Sequence, residues 1–306
     1  MTGQPPAGSG ALYRGYDQPA LDAQYNARAT VPDIGPYLNQ YAQLSAHARA
    51  VLECATDVAY GDHPDETMDI FPAAGTQPAP VFMYIHGGYW RALGKDDSSF
   101  MAPAFVQAGA TVAAINYSLA PAANLDQIVD QVRRALAWLV RNAARFNGDA
   151  SRIHVGGSSA GGHLAAMLLA EGWHARYGVT AEAVRGAVLL SGLFDITPLV
   201  HTHINEWMRM THEDARRNSP LFALPRRGCP IVVSCGENET DEFKRQSRDY
   251  LQAWRDLGHE GRYVDMPGTN HFDLVLALND PDSALAQAVF RQMGLAAPRA
   301  GGAEST

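Results

Sequence analysis

RIHVGGSSAGGHLAAMLLAEG (residues 152–172) passes from strand to helix with almost no linker, and its reading decides the fold. Ile153-His154-Val155 is a short, largely apolar run, and His163 to Ala170 is a run of good helix formers. Between them Gly157-Ser158-Ser159-Ala160-Gly161 fits G-x-S-x-G. Small residues on both sides of the central serine let a strand turn sharply into a helix and leave its hydroxyl exposed. Ser159 is therefore the candidate nucleophile; Ser158, the competing hydroxyl, lacks the symmetric glycine flanks.

The alternation extends in both directions. APVFMYIHGG (79–88) reads as a buried strand ending in a glycine pair, SSFMAPAFVQAG (98–109) as a helix that Ser98 or Ser99 can cap, and ATVAAINYSLAP (110–121) as the next strand. Residues 124–147 form an amphipathic helix with Ile128, Val132, Leu136, Leu139 and Val140 on one face. Strands at 184–195 and 229–237, a helix at 241–258, a last strand with its exit loop at 262–273 and a closing helix at 281–293 complete the pattern. It predicts an α/β fold with a mostly parallel central sheet and helices on both faces.

Two segments stand apart from that repetition. Residues 20–52 carry Tyr37, Leu38, Tyr41, Leu44, Ala48, Val51 and Leu52 at helical spacing, and read as a helical segment lying on the main body, with partial cover of a site as the alternative. Residues 195–225 form a helical, His- and Trp-containing insertion above the strand ends, where open α/β sheets bind ligands, and are expected as a small cap. Flexible tails are expected at 1–12 and 299–306 around a single domain at 13–298.

His86-Gly87-Gly88-Tyr89-Trp90 follows the strand ending at Ile85. Consecutive glycines let backbone N–H groups point into a cavity, so Gly87, Gly88 and the Ala160 N–H are the candidate oxyanion hole. His86 reads as a structural imidazole that ties this loop down. Candidate pocket walls are Tyr89, Trp90, Phe194, Trp207 and Phe272. A serine nucleophile needs a general base, which in this chain order comes last. Of eleven histidines, His271 lies in a short loop after a late strand, whereas His259 sits at a helix end and the His201/His203 pair has no third ligand spaced for a metal. The acid belongs to Glu237-Asn238-Glu239-Thr240-Asp241-Glu242: Glu239 has the best offset, Asp241 follows with a rival role as helix N-cap, and Glu242 is third.

Composition narrows the function classes. With 306 residues, 46% hydrophobic and 18% charged, the chain can bury a sizeable core, which excludes disorder as the whole answer. Its 24 Lys and Arg against 32 Asp and Glu give a net charge of −8, so no basic field exists to attract nucleic acid. Three scattered cysteines suggest neither a disulfide framework nor a zinc site, and fit a reducing cytoplasm. The N-terminus, MTGQPPAGSG, has no basic and apolar leader pattern, and no membrane span is expected. The expected partner is a small-molecule amide or ester, without cofactor or metal; the sequence leaves oligomeric state open, a homodimer included.

Together these residues resemble the α/β-hydrolase fold, and within it the HGG-bearing branch of hormone-sensitive-lipase-like esterases and arylformamidases (kynurenine formamidases). HGGYWR (86–91), INYSLAP (115–121), GGSSAGGHLAA (156–166), SGLFDITPL (191–199), ENETDEFKRQS (237–247) and NHFDLV (270–275) resemble arylformamidase segments in the same order. The resemblance implies Ser159 as nucleophile, Glu239 as acid, His271 as base, and Gly87, Gly88 and Ala160 as oxyanion-hole donors. It also implies metal-independent hydrolysis of N-formylkynurenine to kynurenine and formate, a step of tryptophan catabolism. The arylformamidase acid is usually Asp in a D-S-P-E-F-like segment; here Glu239 stands in E-T-D-E-F, and glutamate serves in other members of the fold. The rival activities are a short-chain carboxylesterase and another amide or carbamate hydrolase; the rival class is a binding protein on a hydrolase scaffold.

Overall fold

Phe82 and Tyr84 pack to one face of a fully buried strand while Val81, Met83 and Ile85 pack to the other, the period-two alternation of a strand covered on both sides. The structure, a computed structural model, describes residues 10–298. Of the expected tails, 299–306 and residues 1–9 lie outside the described residues, and at the start of the described chain the Leu12 N–H donates to Tyr16 O at 2.8 Å.

Ala55–Ala59 (β1), Thr67–Phe71 (β2), Ala79–Ile85 (β3), Thr111–Ile115 (β4), Gly148–Ser158 (β5), Val184–Leu190 (β6), Ile231–Ser234 (β7) and Gly261–Tyr263 (β8) form one sheet in the order β1-β2-β4-β3-β5-β6-β7-β8. β2 pairs antiparallel with β1 and β4, and every other pairing is parallel, so the mostly parallel sheet is as expected. The antiparallel edge is not legible from hydrophobicity because β2 carries a buried charge. Asp69 accepts from the Asp57 N–H at 3.0 Å and lies 3.0 Å from Lys95 Nζ, which lets a carboxylate sit inside a strand.

The helices are Gln18–Tyr25 (α1), Gly35–Val51 (α2), Ala102–Gln107 (α3), Leu125–Asn142 (α4), Ala160–Leu169 (α5), His174–Tyr177 (α6), Asn205–Met208 (α7), His212–Arg217 (α8), Asp241–Asp256 (α9) and Ala284–Met293 (α10). α4, α5 and α9, joined by α1, bury apolar residues against one face of the sheet, and α2, α3 and α10 against the other. α4 begins with a reciprocal cap, Asn124 Oδ1 accepting from Gln127 N and Gln127 Oε1 from Asn124 N. Ser98 and Ser99 do not cap α3, whose N-cap is Met101; the Ser99 hydroxyl donates to Lys95 O and its N–H donates to Ser45 Oγ, fastening the loop to α2.

The 20–52 segment is two helices, α1 and α2, broken by a 3-10 turn at Ala27–Thr30. Residues 195–225 hold α7, α8 and two 3-10 turns, with Ile204, Met208, Met210 and Ala215 buried beneath them. β4 is shorter than its apolar run, ending at Ile115 where the chain leaves the sheet for the loop before α4.

Phe105 on α3 stacks on Phe82 at 4.5 Å and meets Phe290 on α10 edge-on at 5.1 Å, so it joins sheet and two helices. Phe105→Ala is expected to lower stability by about 3–5 kcal/mol through lost burial and the cavity left behind. Denaturant unfolding checks this: the midpoint falls at unchanged slope, and a midpoint equal to the parent's contradicts the packing role.

Candidate active site

At the carboxyl end of β5 the chain must reverse into α5 within one residue, and that residue is Ser159, with φ 58° and ψ −120°. Such a conformation costs a non-glycine residue of order 1–3 kcal/mol and persists only where its surroundings dictate it. Here they do: Ser159 N–H donates to Leu190 O at 2.8 Å, and Ser159 O accepts from His163 N at 3.0 Å. A Cβ at Gly161 would overlap the Ile85 carbonyl oxygen, and one at Gly87 would come within 2.9 Å of Ser158 O. The glycines flanking the serine thus let β3, its exit loop and α5 approach backbone to backbone.

The loop after β3 brings Gly87 and Gly88 to the cavity that Ser159 lines. Gly88 O accepts from the N–H groups of Arg91 and Ala92, both at 3.0 Å, which fixes the turn. The N–H groups of Gly87, Gly88 and Ala160 donate to no protein group among the described residues. Ala160 opens α5, where the first N–H groups lack intrahelical partners and the helix end is electropositive. His86 is wholly buried and stacks on Tyr117 at 4.0 Å, and its Nδ1–H donates to Gly87 O at 2.9 Å, so it ties the loop down as its reading predicted.

His271 stands in a loop shaped by Asn270, whose Oδ1 accepts from Phe272 N at 2.8 Å and Asp273 N at 3.2 Å. Its ring lines the same cavity as Ser159, and its Nδ1 lies 2.6 Å from Glu239 Oε2. Glu239 Oε1 accepts from Ser191 Oγ at 2.5 Å and from Gly236 N at 2.7 Å. Burial alone would push this carboxyl's pKa up. The charge of His271 with the hydrogen bonds from His271, Ser191 and Gly236 outweighs burial and holds it below the ordinary glutamate value.

The structure separates the three candidate acids. Asp241 is exposed at the start of α9, whose N-cap is Thr240 rather than Asp241. Glu242 is buried but turned away, accepting from Tyr25 Oη at 2.9 Å and pairing with Arg245 at 2.7 Å. Glu239 alone of the three meets His271.

The cavity, about 400 Å³, has Ser158, Ser159 and His271 among its lining. Of the candidate aromatic walls, Tyr89, Trp207 and Phe272 line it. Trp90 and Phe194 do not. Trp90 turns under the loop into the core and meets His163 edge-on at 5.0 Å. Phe194 has its N–H held by Gln246 Oε1 at 2.6 Å, which aims its ring onto Tyr250 at 4.3 Å. Sequence reasoning missed Ser191, although a hydroxyl at the end of the strand beside β7 was a usable signal. The 20–52 segment takes the alternative role read for it, partial cover of the site, and supplies Tyr25, Arg28, Ile34, Leu38 and Tyr41 to the wall. Of the His201/His203 pair, His203 Nδ1 lies 2.9 Å from Asp22 Oδ1, and among the described residues no group of three or more His, Cys, Asp or Glu is placed to hold a metal ion.

A family model described as BD-FAE matches residues 68–214. A kynurenine formamidase from Salmo salar is 35% identical over 89% of this chain and 93% of its own length. The Mycobacterium tuberculosis esterase LipQ is 29% identical over 89% of this chain and 67% of its own length. Among solved structures, a Silicibacter protein whose thioesterase assignment is itself an inference is similar with a TM-score of 0.76 and 29% identity, covering 87% of this chain and 97% of that one.

His86 and His163 predict an acid-side instability. Burial outweighs the single carbonyl hydrogen bond each ring makes and depresses both pKa values to about 4. An unfolded histidine binds its proton near pH 6.5, so between roughly pH 6.5 and 4 the unfolded chain takes up protons that the folded one refuses. Stability therefore falls as pH drops through that window, by up to about 1.4 kcal/mol per pH unit for each ring. Thermal midpoints from pH 7 to 4.5 check this; His86→Asn is expected to shallow the slope, and an unchanged slope would place the protons elsewhere.

Proposed function

This chain belongs to the kynurenine formamidase family of α/β-hydrolases, and from that premise we propose that it hydrolyses N-formylkynurenine to kynurenine and formate through a formyl-enzyme on Ser159. The observation that carries the reading is a serine at a strained strand–helix turn sharing one cavity with an imidazole whose far nitrogen is 2.6 Å from a buried carboxylate. His271 takes the Ser159 proton as Oγ attacks the formyl carbon, and Glu239 keeps the ring in the tautomer that leaves Nε2 free to accept it.

The carbonyl oxygen becomes an oxyanion beside the Ala160 N–H and the N–H groups of Gly87 and Gly88; each such donor is typically worth about 3 kcal/mol at the transition state. His271 then returns the proton to the departing aryl amine and the C–N bond breaks. Water, deprotonated by the same imidazole, attacks the formyl ester and releases formate and free serine. Tyr89, Trp207 and Phe272 give the arylamine an aromatic wall. In the resting protein Ser159 Oγ makes no hydrogen bond among the described residues, in keeping with serine–imidazole contacts that tighten when substrate arrives.

Similarity to the mycobacterial esterase supports a second reading, a short-chain carboxylesterase, because one machinery cleaves both bonds. The three free cysteines, Cys54, Cys229 and Cys235, support placing the enzyme in the cytoplasm. No helix among the described residues is long and apolar enough to cross a membrane.

Measuring kcat/KM for N-formylkynurenine beside p-nitrophenyl acetate and butyrate separates the readings. A preference for the formamide above about a hundredfold, roughly 2.7 kcal/mol, is expected. Strong ester turnover with negligible formamide cleavage would transfer the name to carboxylesterase. Ser159→Ala should lower kcat on the order of a millionfold, and parental rates in that variant would end the nucleophile assignment.

A further inference from the structure

The charge of the cavity runs against that of the chain. The protein carries a net charge of −8, yet no Asp or Glu lines the cavity, whereas Arg28 and Arg91 both do. His203 also lines it, but its ring is hydrogen-bonded to Asp22, which balances any charge it takes. Neither arginine has a carboxylate within ion-pair distance among the described residues, unlike Arg49, Arg134, Arg217 and Arg245.

Both side chains are exposed; that of Arg91 is held by a stack, and that of Arg28 is carried by a braced turn. The Arg91 guanidinium lies over the Trp207 ring, 4.7 Å from its centroid, and Trp207 Nε1–H donates to Tyr89 O at 3.3 Å, so the stack is anchored to the loop that carries Gly87 and Gly88. Arg28 lies in the 3-10 turn Ala27–Thr30, three residues past Tyr25, whose carbonyl accepts from Tyr89 Oη at 2.5 Å. An uncompensated guanidinium on a mostly aromatic and aliphatic cavity attracts an anion and presents two parallel N–H groups that match a carboxylate.

We propose that Arg28 and Arg91 bind the carboxylate of the substrate, so that the enzyme selects aryl formamides bearing an acid group over neutral ones. The proposal deepens the formamidase reading and rests on it. It has a corollary in the same wall: with no acidic side chain there, an ammonium group finds no charged partner, so the carboxylate rather than the amino group of an amino-acid substrate carries recognition.

The test compares three formamides: N-formylkynurenine, its des-amino analogue that keeps the carboxylate, and ortho-formamidoacetophenone, which has neither group. The quantity read is the ratio of kcat/KM for each acid to that for the neutral compound, in the parent and in Arg28→Gln, Arg91→Gln and the double variant. Each single substitution is expected to lower both ratios about tenfold, mainly through KM, and the double further. Arg28→Lys and Arg91→Lys should recover part of the loss. Arg226→Gln, exposed and outside the cavity lining, serves as the control, with the ratios unchanged. Parental KM for the acids should rise with ionic strength.

Unchanged ratios in the double variant overturn the proposal, and so does a des-amino analogue that behaves like the neutral compound. If the parent cleaves no formamide, the proposed reaction fails while the carboxylate site is still decided. Kynurenine should then inhibit p-nitrophenyl acetate turnover more strongly than ortho-aminoacetophenone, with the advantage lost in the double variant; equal inhibition by the two overturns it.

Discussion

Three stretches of main chain converge on Ser159 at van der Waals distance, and the rest of the structure is arranged so that they can. β3 and β5 run parallel with Ile85 beside Gly157, and β5 and β6 with Ser158 beside Leu190, so the sheet register sets where the turn must occur. The positive φ at Ser159 is local strain that the sheet imposes and the packed helix start retains. A serine on a relaxed loop would cost less to fold but would sample orientations in which its hydroxyl faces neither imidazole nor oxyanion donors.

The electrostatics follow the same plan of one strand end supporting the next. Glu239 is nearly removed from water, a position where an unsupported carboxyl would hold its proton. Donors from the end of β6 (Ser191), from the turn after β7 (Gly236) and from the late loop (His271) supply what water would have given. Because the Gly236 N–H belongs to the main chain and Ser191 stands at a strand end, the carboxylate is held in place and so is the imidazole that meets it. Cys235, buried beside this cluster, has its thiol pushed up by burial and by the Glu239 charge, and stays inert.

Much of this was readable because it depends on local pattern. Alternating strands and helices gave the mostly parallel sheet, and G-x-S-x-G together with His-Gly-Gly gave the turn and the loop, since both need small residues at fixed offsets. What escaped depended on tertiary partners. β2 was hidden because Asp69 looks like a surface residue until Lys95 is beside it. Trp90 and Phe194 were expected in the pocket because aromatic composition says nothing about which way a side chain turns; His163 and Tyr250 receive them instead. The choice among Glu239, Asp241 and Glu242 turned on contacts to Ser191, solvent and Tyr25 that lie far apart in sequence.

The two N-terminal helices do more than complete the cavity wall. Thr240 Oγ1 donates to Gln24 O at 2.6 Å and Tyr25 Oη donates to Glu242, so α1 grips the residues that follow Glu239. Tyr37 Oη accepts from Asn270 Nδ2 at 3.0 Å and Tyr41 Oη donates to Phe272 O, so α2 grips both neighbours of His271. The doorway and the machinery therefore share their fastenings. Swinging this segment outward to admit a bulkier guest would slacken the acid and the base together, so size selection and reactivity are mechanically linked. Enlarging the range of accepted molecules without losing rate calls for trimming inward-facing side chains while the braces stay where they are.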